Sequence, residues 1–260
     1  MTEVVLMTIE DDVAVLTLNR PDRLNAWTAE MQSAYFDLLD ECASRQDVRV
    51  IVVTGAGRGF CAGADMRDTF GKRLEGADPG EDTEESGGMP RDVDWVALVR
   101  DSKPLIAAVN GAAVGIGMTM ILPFDVILAS ARAKFGMLFI KVGLVPELAS
   151  TRLLAQRIGI GRAGEMCLTG RLYHAEEARE IGLVDHVVEP DTLVDSALEL
   201  GGEIAANPHP QLRMIKRLLT QNALEADLHV VQEREHALIR ECWRSPEHER
   251  AVAAFLAKSS

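Results

Sequence analysis

The sequence predicts a mixed α/β fold: strand–strand–helix units up to about Pro190, then a region that is helical throughout. Three observations carry that prediction. Short β-branched runs recur along the first part of the chain, at Val4 to Ile9, Val13 to Leu18, Val48 to Thr54, Leu105 to Val109 and Asp125 to Ala129. Apolar residues at helical spacing lie between several of them. Beyond Pro190 no strand candidate remains. The expected division is a core over residues 1–190 and a helical region over 191–260.

Taken in order, the two opening runs alternate apolar and polar residues and are joined by Glu10, Asp11 and Asp12, so they predict a β-hairpin or two adjacent strands. Thr28 is a candidate cap for a helix whose apolar residues Met31, Ala34, Tyr35, Leu38, Leu39 and Cys42 fall on one face. The run from Val48 ends at a glycine-rich turn, Gly55 to Gly59. Lys72 to Asp92 is polar, acidic and without periodicity, and reads as a mobile surface loop. A short helix from Val93 to Arg100 precedes the strand from Leu105. A second glycine-rich turn, Gly111 to Gly117, then opens the apolar segment Met118 to Leu122. The C-terminal helices are expected over Thr192–Ala206, Gln211–Leu224, Asp227–Trp243 and Pro246–Ala257.

Composition narrows the function classes. The 260 residues are 47% hydrophobic and 26% charged, values of an ordinary soluble globular protein with a sizeable core. Lys plus Arg total 27 against 40 Asp plus Glu, a net charge of −13. That balance opposes binding to nucleic acid or to an anionic membrane surface. No secretory leader or membrane-spanning run is read, so the expected location is cytoplasmic. Cys42, Cys61, Cys167 and Cys242 are scattered without ligand spacing and read as reduced thiols. The six histidines form no metal-binding pair, so neither a metal nor a separate cofactor is expected.

Three glycine clusters are candidates for ligand chemistry. Gly159-Ile160-Gly161-Arg162-Ala163-Gly164 satisfies the spacing of a dinucleotide-binding loop, but that loop must follow a strand. The preceding residues, Ser150 to Ile158, have helical spacing, so these glycines are expected to end one helix and start another. The other two clusters, Phe60 to Asp65 and Ala113 to Gly117, each follow a strand with small residues. Two backbone N–H groups exposed there can converge on an oxygen that gains negative charge. Spacing alone is equally satisfied by two turns that serve only packing.

The order of short motifs resembles the crotonase (enoyl-CoA hydratase/isomerase) superfamily over nearly the whole chain. The matching pieces are Asn19-Arg20-Pro21-Asp22-Arg23-Leu24-Asn25-Ala26, Val52 to Gly55, Phe60 to Asp65, Lys103-Pro104, Ala107 to Gly111, Phe124-Asp125, Lys134-Phe135-Gly136, Leu168 to Arg171, Gly182-Leu183-Val184 and Ala254 to Lys258. The resemblance implies a crotonase (ClpP-like) spiral of ββα units with a C-terminal helical region, assembled as a homotrimer or dimer of trimers. It implies an acyl-CoA thioester as substrate, with CoA part of the substrate rather than a cofactor. It places the oxyanion-hole N–H groups on Ala64 and Ile116. It places CoA contacts at Arg23, Leu24, Ala62, Asp65, Met66 and Arg67, and at Phe255 and Lys258 from a neighbouring subunit.

The same resemblance bears on the reaction. Hydratases of the family use two glutamates, and the matching positions here are Thr119 and Phe139, which instead line the expected acyl pocket. A threonine hydroxyl is a poor base and phenylalanine does not titrate. Glu147 remains, at a position that resembles the single catalytic glutamate of Δ3,Δ2-enoyl-CoA isomerases. Apolar Leu144, Val145, Leu148 and Phe139 are expected to raise its pKa. The structural alternative is an exposed acid at a helix start beside Pro146. The implied activity is a double-bond shift from C3 to C2, with hydration of an unusual acyl-CoA, or binding without catalysis, as the alternatives.

Overall fold

A computed structural model describes residues 3–67 and 93–258, so the expected loop at 72–92 lies outside the described residues. The chain opens with β1 (Val5–Glu10) and β2 (Val13–Leu18), an antiparallel hairpin closed by Asp11 and Asp12. Both aspartates have positive φ (46° and 66°), the backbone of a two-residue turn that matches the twist of its strands. Next come α1 (Ala29–Ser44), capped by the Thr28 side chain as expected, then β3 (Val50–Gly55) and β4 (Gly59–Cys61). The second unit runs through α2 (Trp95–Asp101), β5 (Leu105–Val109), β6 (Ala112–Val114) and α3 (Ile116–Thr119). The third contains β7 (Val126–Ser130), β8 (Lys134–Gly136), α4 (Ser150–Ile158) and α5 (Ile160–Thr169). Then follow β9 (Tyr173–His174), α6 (Ala175–Glu180) and β10 (His186–Val188).

The strands form two sheets. One has the order β1-β2-β3-β5-β7-β10, parallel apart from the opening hairpin. The other has the order β4-β6-β8-β9, with β4, β6 and β8 parallel. The inner strands β2, β3, β5 and β7 are buried on both faces, which is why they read as nearly continuous apolar runs. Alternation is still visible in what each residue touches. Ile51 and Val53 of β3, with Leu105 and Ala107 of β5, enter the main core beneath α1. Val50, Val52, Ile106 and Ala108 point the other way, against Leu193, Ala197 and Ala205 of α7 (Leu193–Ala205). The first C-terminal helix therefore completes the core by covering the second face of the sheet.

The remaining helices are α8 (His209–Asn222), α9 (Leu228–Cys242) and α10 (Pro246–Lys258). Gly159, with φ of 79°, ends α4 and starts α5, so the dinucleotide-like glycines join two helices and do not follow a strand. None of the described helices is long and apolar enough to cross a membrane.

Candidate active site

The smaller sheet places two turns side by side. Because β4 and β6 are parallel neighbours in register Cys61↔Ala113, residues 62–65 and 115–117 leave the same carboxyl edge together. That edge is where parallel sheets present ligand sites. A Cβ added to Gly115 would lie 3.7 Å from the Cα of Gly63, and one added to Gly63 would lie 3.3 Å from the Val114 carbonyl oxygen. Both glycines have positive φ, 102° at Gly63 and 55° at Gly115, so backbone conformation favours glycine at both, and close approach adds to it at Gly63. A side chain on Gly117 would run into the Cys61 carbonyl.

The N–H groups that follow Gly63 and Gly115, those of Ala64 and Ile116, have no partners among the described residues. Trp27 brackets Ala64: its N–H donates to the Gly63 carbonyl at 2.8 Å, and its carbonyl accepts from the Asp65 N–H at 2.9 Å. This one-residue parallel bridge turns the Ala64 N–H away from Trp27. Ile116 is the first residue of α3, where a helix N–H has no carbonyl one turn back. Among the described residues neither N–H donates to a backbone carbonyl. Two free donors thus stand on adjoining turns, the arrangement an oxyanion hole needs.

The loop from Arg20 to Trp27 braces this edge. Asn25 is fully buried and donates to the carbonyls of Ala56 (3.0 Å) and Gly59 (2.7 Å), while its side-chain oxygen accepts from the Arg20 N–H at 2.8 Å. Leu24 and Asn25 both have positive φ, 50° and 55°. The Leu24 carbonyl accepts from the Ala62 N–H at 3.1 Å, which joins two of the expected CoA contacts. The Arg20 guanidinium reaches the Asp65 carboxylate at 3.1 Å, and the Arg67 N–H donates to the other oxygen at 3.3 Å. Asp65 is thus turned inward, whereas Arg23, Met66 and Arg67 are exposed. Phe255 is exposed on α10, away from the larger core, and nothing is described of the Lys258 side chain. Arg20 and Asn25 carry roles that the sequence motif contains but does not reveal, and Trp27 lies one residue beyond that motif. Asn25 leaves a faint signal, since asparagine tolerates left-handed backbone.

Thr119 is fully buried, and its hydroxyl donates back to the Ile116 carbonyl at 3.4 Å. Phe139 is half-buried in the 3-10 turn Leu138–Val142 and packs on the main core. Glu147 lies three residues before α4, outside the helix and half-buried, not an exposed first-turn acid. Burial pushes its carboxyl pKa above the usual carboxylate value, with no ion pair among the described residues to offset it. The expected apolar surroundings need correction: Leu148 and Phe139 pack against the core, whereas Val145 is 82% exposed and Leu144 also faces solvent. Leu148 and Ala149, directly after Glu147, both hold left-handed backbone, φ 55° and 54°. Two consecutive non-glycine residues in that region are strained, and such strain concentrates at functional sites.

Known proteins resemble this chain over most of its length. The family model described as enoyl-CoA hydratase/isomerase matches residues 8–260. A 1,2-epoxyphenylacetyl-CoA isomerase of Escherichia coli is 38% identical over 100% of this chain and 98% of its own length. A mevalonyl-coenzyme A hydratase of Beauveria bassiana is 39% identical over 75% of this chain and 70% of its own. A crystal structure of an enoyl-CoA hydratase from Bacillus anthracis superposes with a TM-score of 0.87 at 28% identity, covering 98% of this chain and 96% of that one.

Proposed function

The chain belongs to the enoyl-CoA hydratase/isomerase family of the crotonase superfamily, and from that premise we propose that it is an isomerase that moves a double bond of an acyl-CoA from C3 to C2. The observation that carries this reading is Glu147: a half-buried carboxyl with a raised pKa, in a site where the other two candidate positions are Thr119 and Phe139. One carboxyl is enough for a 1,3-proton shift.

In the proposed sequence the Glu147 carboxylate takes a proton from C2 of a 3-enoyl-CoA. The C–H electron pair moves toward the thioester carbonyl, and the dienolate oxygen accepts hydrogen bonds from the Ala64 and Ile116 N–H groups. As the carbonyl re-forms, a double bond forms between C2 and C3. The C3–C4 π pair takes the proton back from Glu147 at C4. A raised pKa suits a group that must act first as base and then as acid. Arg23, Leu24, Ala62, Asp65, Met66 and Arg67 flank the adjoining turn, where CoA is proposed to lie. Phe255 and Lys258 of a neighbouring copy would complete that contact. Exposed Leu219 and Phe255 on the C-terminal helices, with Trp243 just after α9, support contact between copies of this chain, proposed here as a homotrimer or dimer of trimers.

The second reading is hydration of an unusual acyl-CoA through Glu147 alone, which the hydratase among the relatives favours. Incubating the purified protein in D2O with 2-enoyl- and 3-enoyl-CoAs of several chain lengths separates the two. A 2-enoyl-CoA formed from the 3-enoyl-CoA with no water added indicates isomerisation, with deuterium at C4 only to the extent that the Glu147 carboxyl exchanges with solvent. A 3-hydroxyacyl product indicates hydration. Wild-type isomerisation by Glu147→Gln would overturn the role of Glu147.

A further inference from the structure

The peptide that carries the Ala64 N–H also carries the Gly63 carbonyl, and a planar trans peptide points the two in opposite directions. Whatever holds that carbonyl therefore aims the N–H. Gly63 itself fixes little, because a glycine at a φ of 102° has no side chain to restrict it. The Trp27 N–H supplies the restraint by donating to the Gly63 carbonyl at 2.8 Å. At the other donor the restraint is local. The Gly115 carbonyl, on the peptide of the Ile116 N–H, accepts from the N–H groups of Met118 (3.0 Å) and Thr119 (2.9 Å) in its own turn. Ala64 depends instead on a loop distant in sequence.

The Trp27 N–H belongs in turn to the peptide of the Ala26 carbonyl, and that carbonyl accepts from Nη1 of Arg20. Nη2 of the same guanidinium reaches the Asp65 carboxylate at 3.1 Å. Arg20 thus holds the residue before Trp27 and the residue after Ala64, the two flanks of the one-residue bridge. Its main chain is anchored at the base of the loop. The Arg20 N–H donates to the Asn25 side-chain oxygen at 2.8 Å, and the Arg20 carbonyl accepts from the N–H groups of Arg23 and Asn25, both at 2.9 Å. The guanidinium is 20% exposed and the carboxylate 11%, so solvent screens the arrangement little. Hydrogen bonds therefore run in series from the guanidinium through the Ala26–Trp27 peptide to the Gly63–Ala64 peptide, whose N–H ends the series. Such bonds polarise one another, and a cation donating to the first carbonyl makes each N–H further along a stronger donor.

We infer that Arg20 is a positioning residue for the reaction: through the two peptides it aims and polarises the Ala64 N–H that meets the thioester oxygen. The inference rests on the acyl-CoA reading above and adds to it a residue that acts without touching the substrate. Charge separates this role from packing. Methionine fills similar space without a donor, glutamine offers an uncharged donor, and lysine offers a cation with a single nitrogen.

The test is isotope-edited infrared difference spectroscopy of butanoyl-CoA labelled with 13C at the thioester carbonyl. It is bound in turn to wild type, Arg20→Lys, Arg20→Gln and Arg20→Met, with kcat and KM measured alongside on 3-hexenoyl-CoA. The carbonyl stretch falls in frequency as hydrogen bonds to its oxygen strengthen, so it reads the hole directly. Wild type is expected to lower the stretch most, Arg20→Lys next, and Arg20→Gln and Arg20→Met least. In Arg20→Met kcat is expected to fall about tenfold with KM within about threefold, since one donor is weakened and not lost. A stretch that is the same in wild type and every variant overturns the inference, even if the variants melt lower, because Arg20 then serves only the loop. A loss confined to KM also overturns it, because the guanidinium then holds CoA itself. If wild type fails to isomerise, the isomerase reading falls alone, and the carbonyl stretches still decide the role of Arg20. If butanoyl-CoA does not bind, or binds wild type with no lowering of the stretch, the acyl-CoA or oxyanion-hole reading falls and the inference with it. Should Arg20→Met fail to fold, Arg20→Gln and Arg20→Lys decide on the same readings.

Discussion

The ammonium of Lys216 lies 2.7 Å from the Asp125 carboxylate, with the lysine side chain only 4% exposed. The same ammonium donates to the Lys103 carbonyl at 3.0 Å, and the same carboxylate oxygen accepts from the Leu105 N–H at 2.8 Å. One ion pair thus fastens α8 to the entry of β5 and the approach to β7. Lys216→Ala would leave a partly buried carboxylate without its cation and is expected to cost about 3 kcal/mol in urea unfolding. Replacing both partners, Lys216→Met with Asp125→Leu, is expected to recover much of that loss, because no unpaired charge remains. A loss under about 1 kcal/mol for the single variant would place the pair among ordinary surface bridges.

Gly115 has room for a methyl group, since a Cβ would meet only the Gly63 Cα at 3.7 Å, but its φ of 55° with ψ of −124° does not suit an L-residue. Gly115→Ala is therefore expected to store about 1–3 kcal/mol of backbone strain or to rotate the next peptide. That peptide carries the Ile116 N–H. Removing one donor from an oxyanion hole typically lowers kcat by about a hundredfold or more. Steady-state kinetics should show the loss mainly in kcat, with a small fall in melting temperature. An unchanged kcat would remove Ile116 from the mechanism.

Strands β1, β2, β3, β5 and β7 of the larger sheet and the long helices were legible because their periods repeat over enough residues, as in Val13–Leu18 or along α1, whereas the three-residue β10 was not. The smaller sheet was not. Its strands Gly59–Cys61, Ala112–Val114, Lys134–Gly136 and Tyr173–His174 are two or three residues long, contain glycine, and exist because they pair with one another. Yet this sheet is what sets the two glycine turns side by side. Ala64 and Ile116 were therefore reachable through motif order and not through local pattern. The Arg20–Asp65 pair spans 45 residues and leaves no trace in either segment alone.

Glu147 links activity and stability through pH. Its folded-state pKa is raised by burial, so the folded protein holds this proton more tightly than the unfolded chain. The group's contribution to stability is full below the ordinary carboxylate pKa and is lost as pH rises through the raised folded value. Glu147→Gln, which cannot ionise, is therefore expected to melt higher than wild type near neutral pH and to match it at about pH 4. The first proton transfer requires the carboxylate, so kcat/KM should rise with pH through a midpoint above that of a free glutamate. A rate profile flat across that range, or a Glu147→Gln variant less stable than wild type at neutral pH, would contradict the assignment.

Ala149 separates strain from packing in the turn that holds Glu147. Its φ of 54° follows a φ of 55° at Leu148, and its side chain is exposed, so a methyl group contributes little contact there. A left-handed non-glycine residue costs about 1 kcal/mol, and glycine relieves that cost while making the unfolded chain looser. Ala149→Gly is accordingly expected to change stability by less than about 1 kcal/mol, toward the more stable side. Function should respond differently. The strained pair narrows the conformations open to residues 147–150, and Ser150 closes the turn by donating its N–H to the Glu147 carbonyl at 3.0 Å. With glycine at 149 the turn has more accessible states, and the carboxyl spends less time in the geometry that reaches C2 and C4. A variant that melts at or above wild type yet has a several-fold lower kcat, with KM unchanged, would show that the strain serves catalysis. Wild-type kcat in the stabilised variant would show that the turn is strained for some other reason.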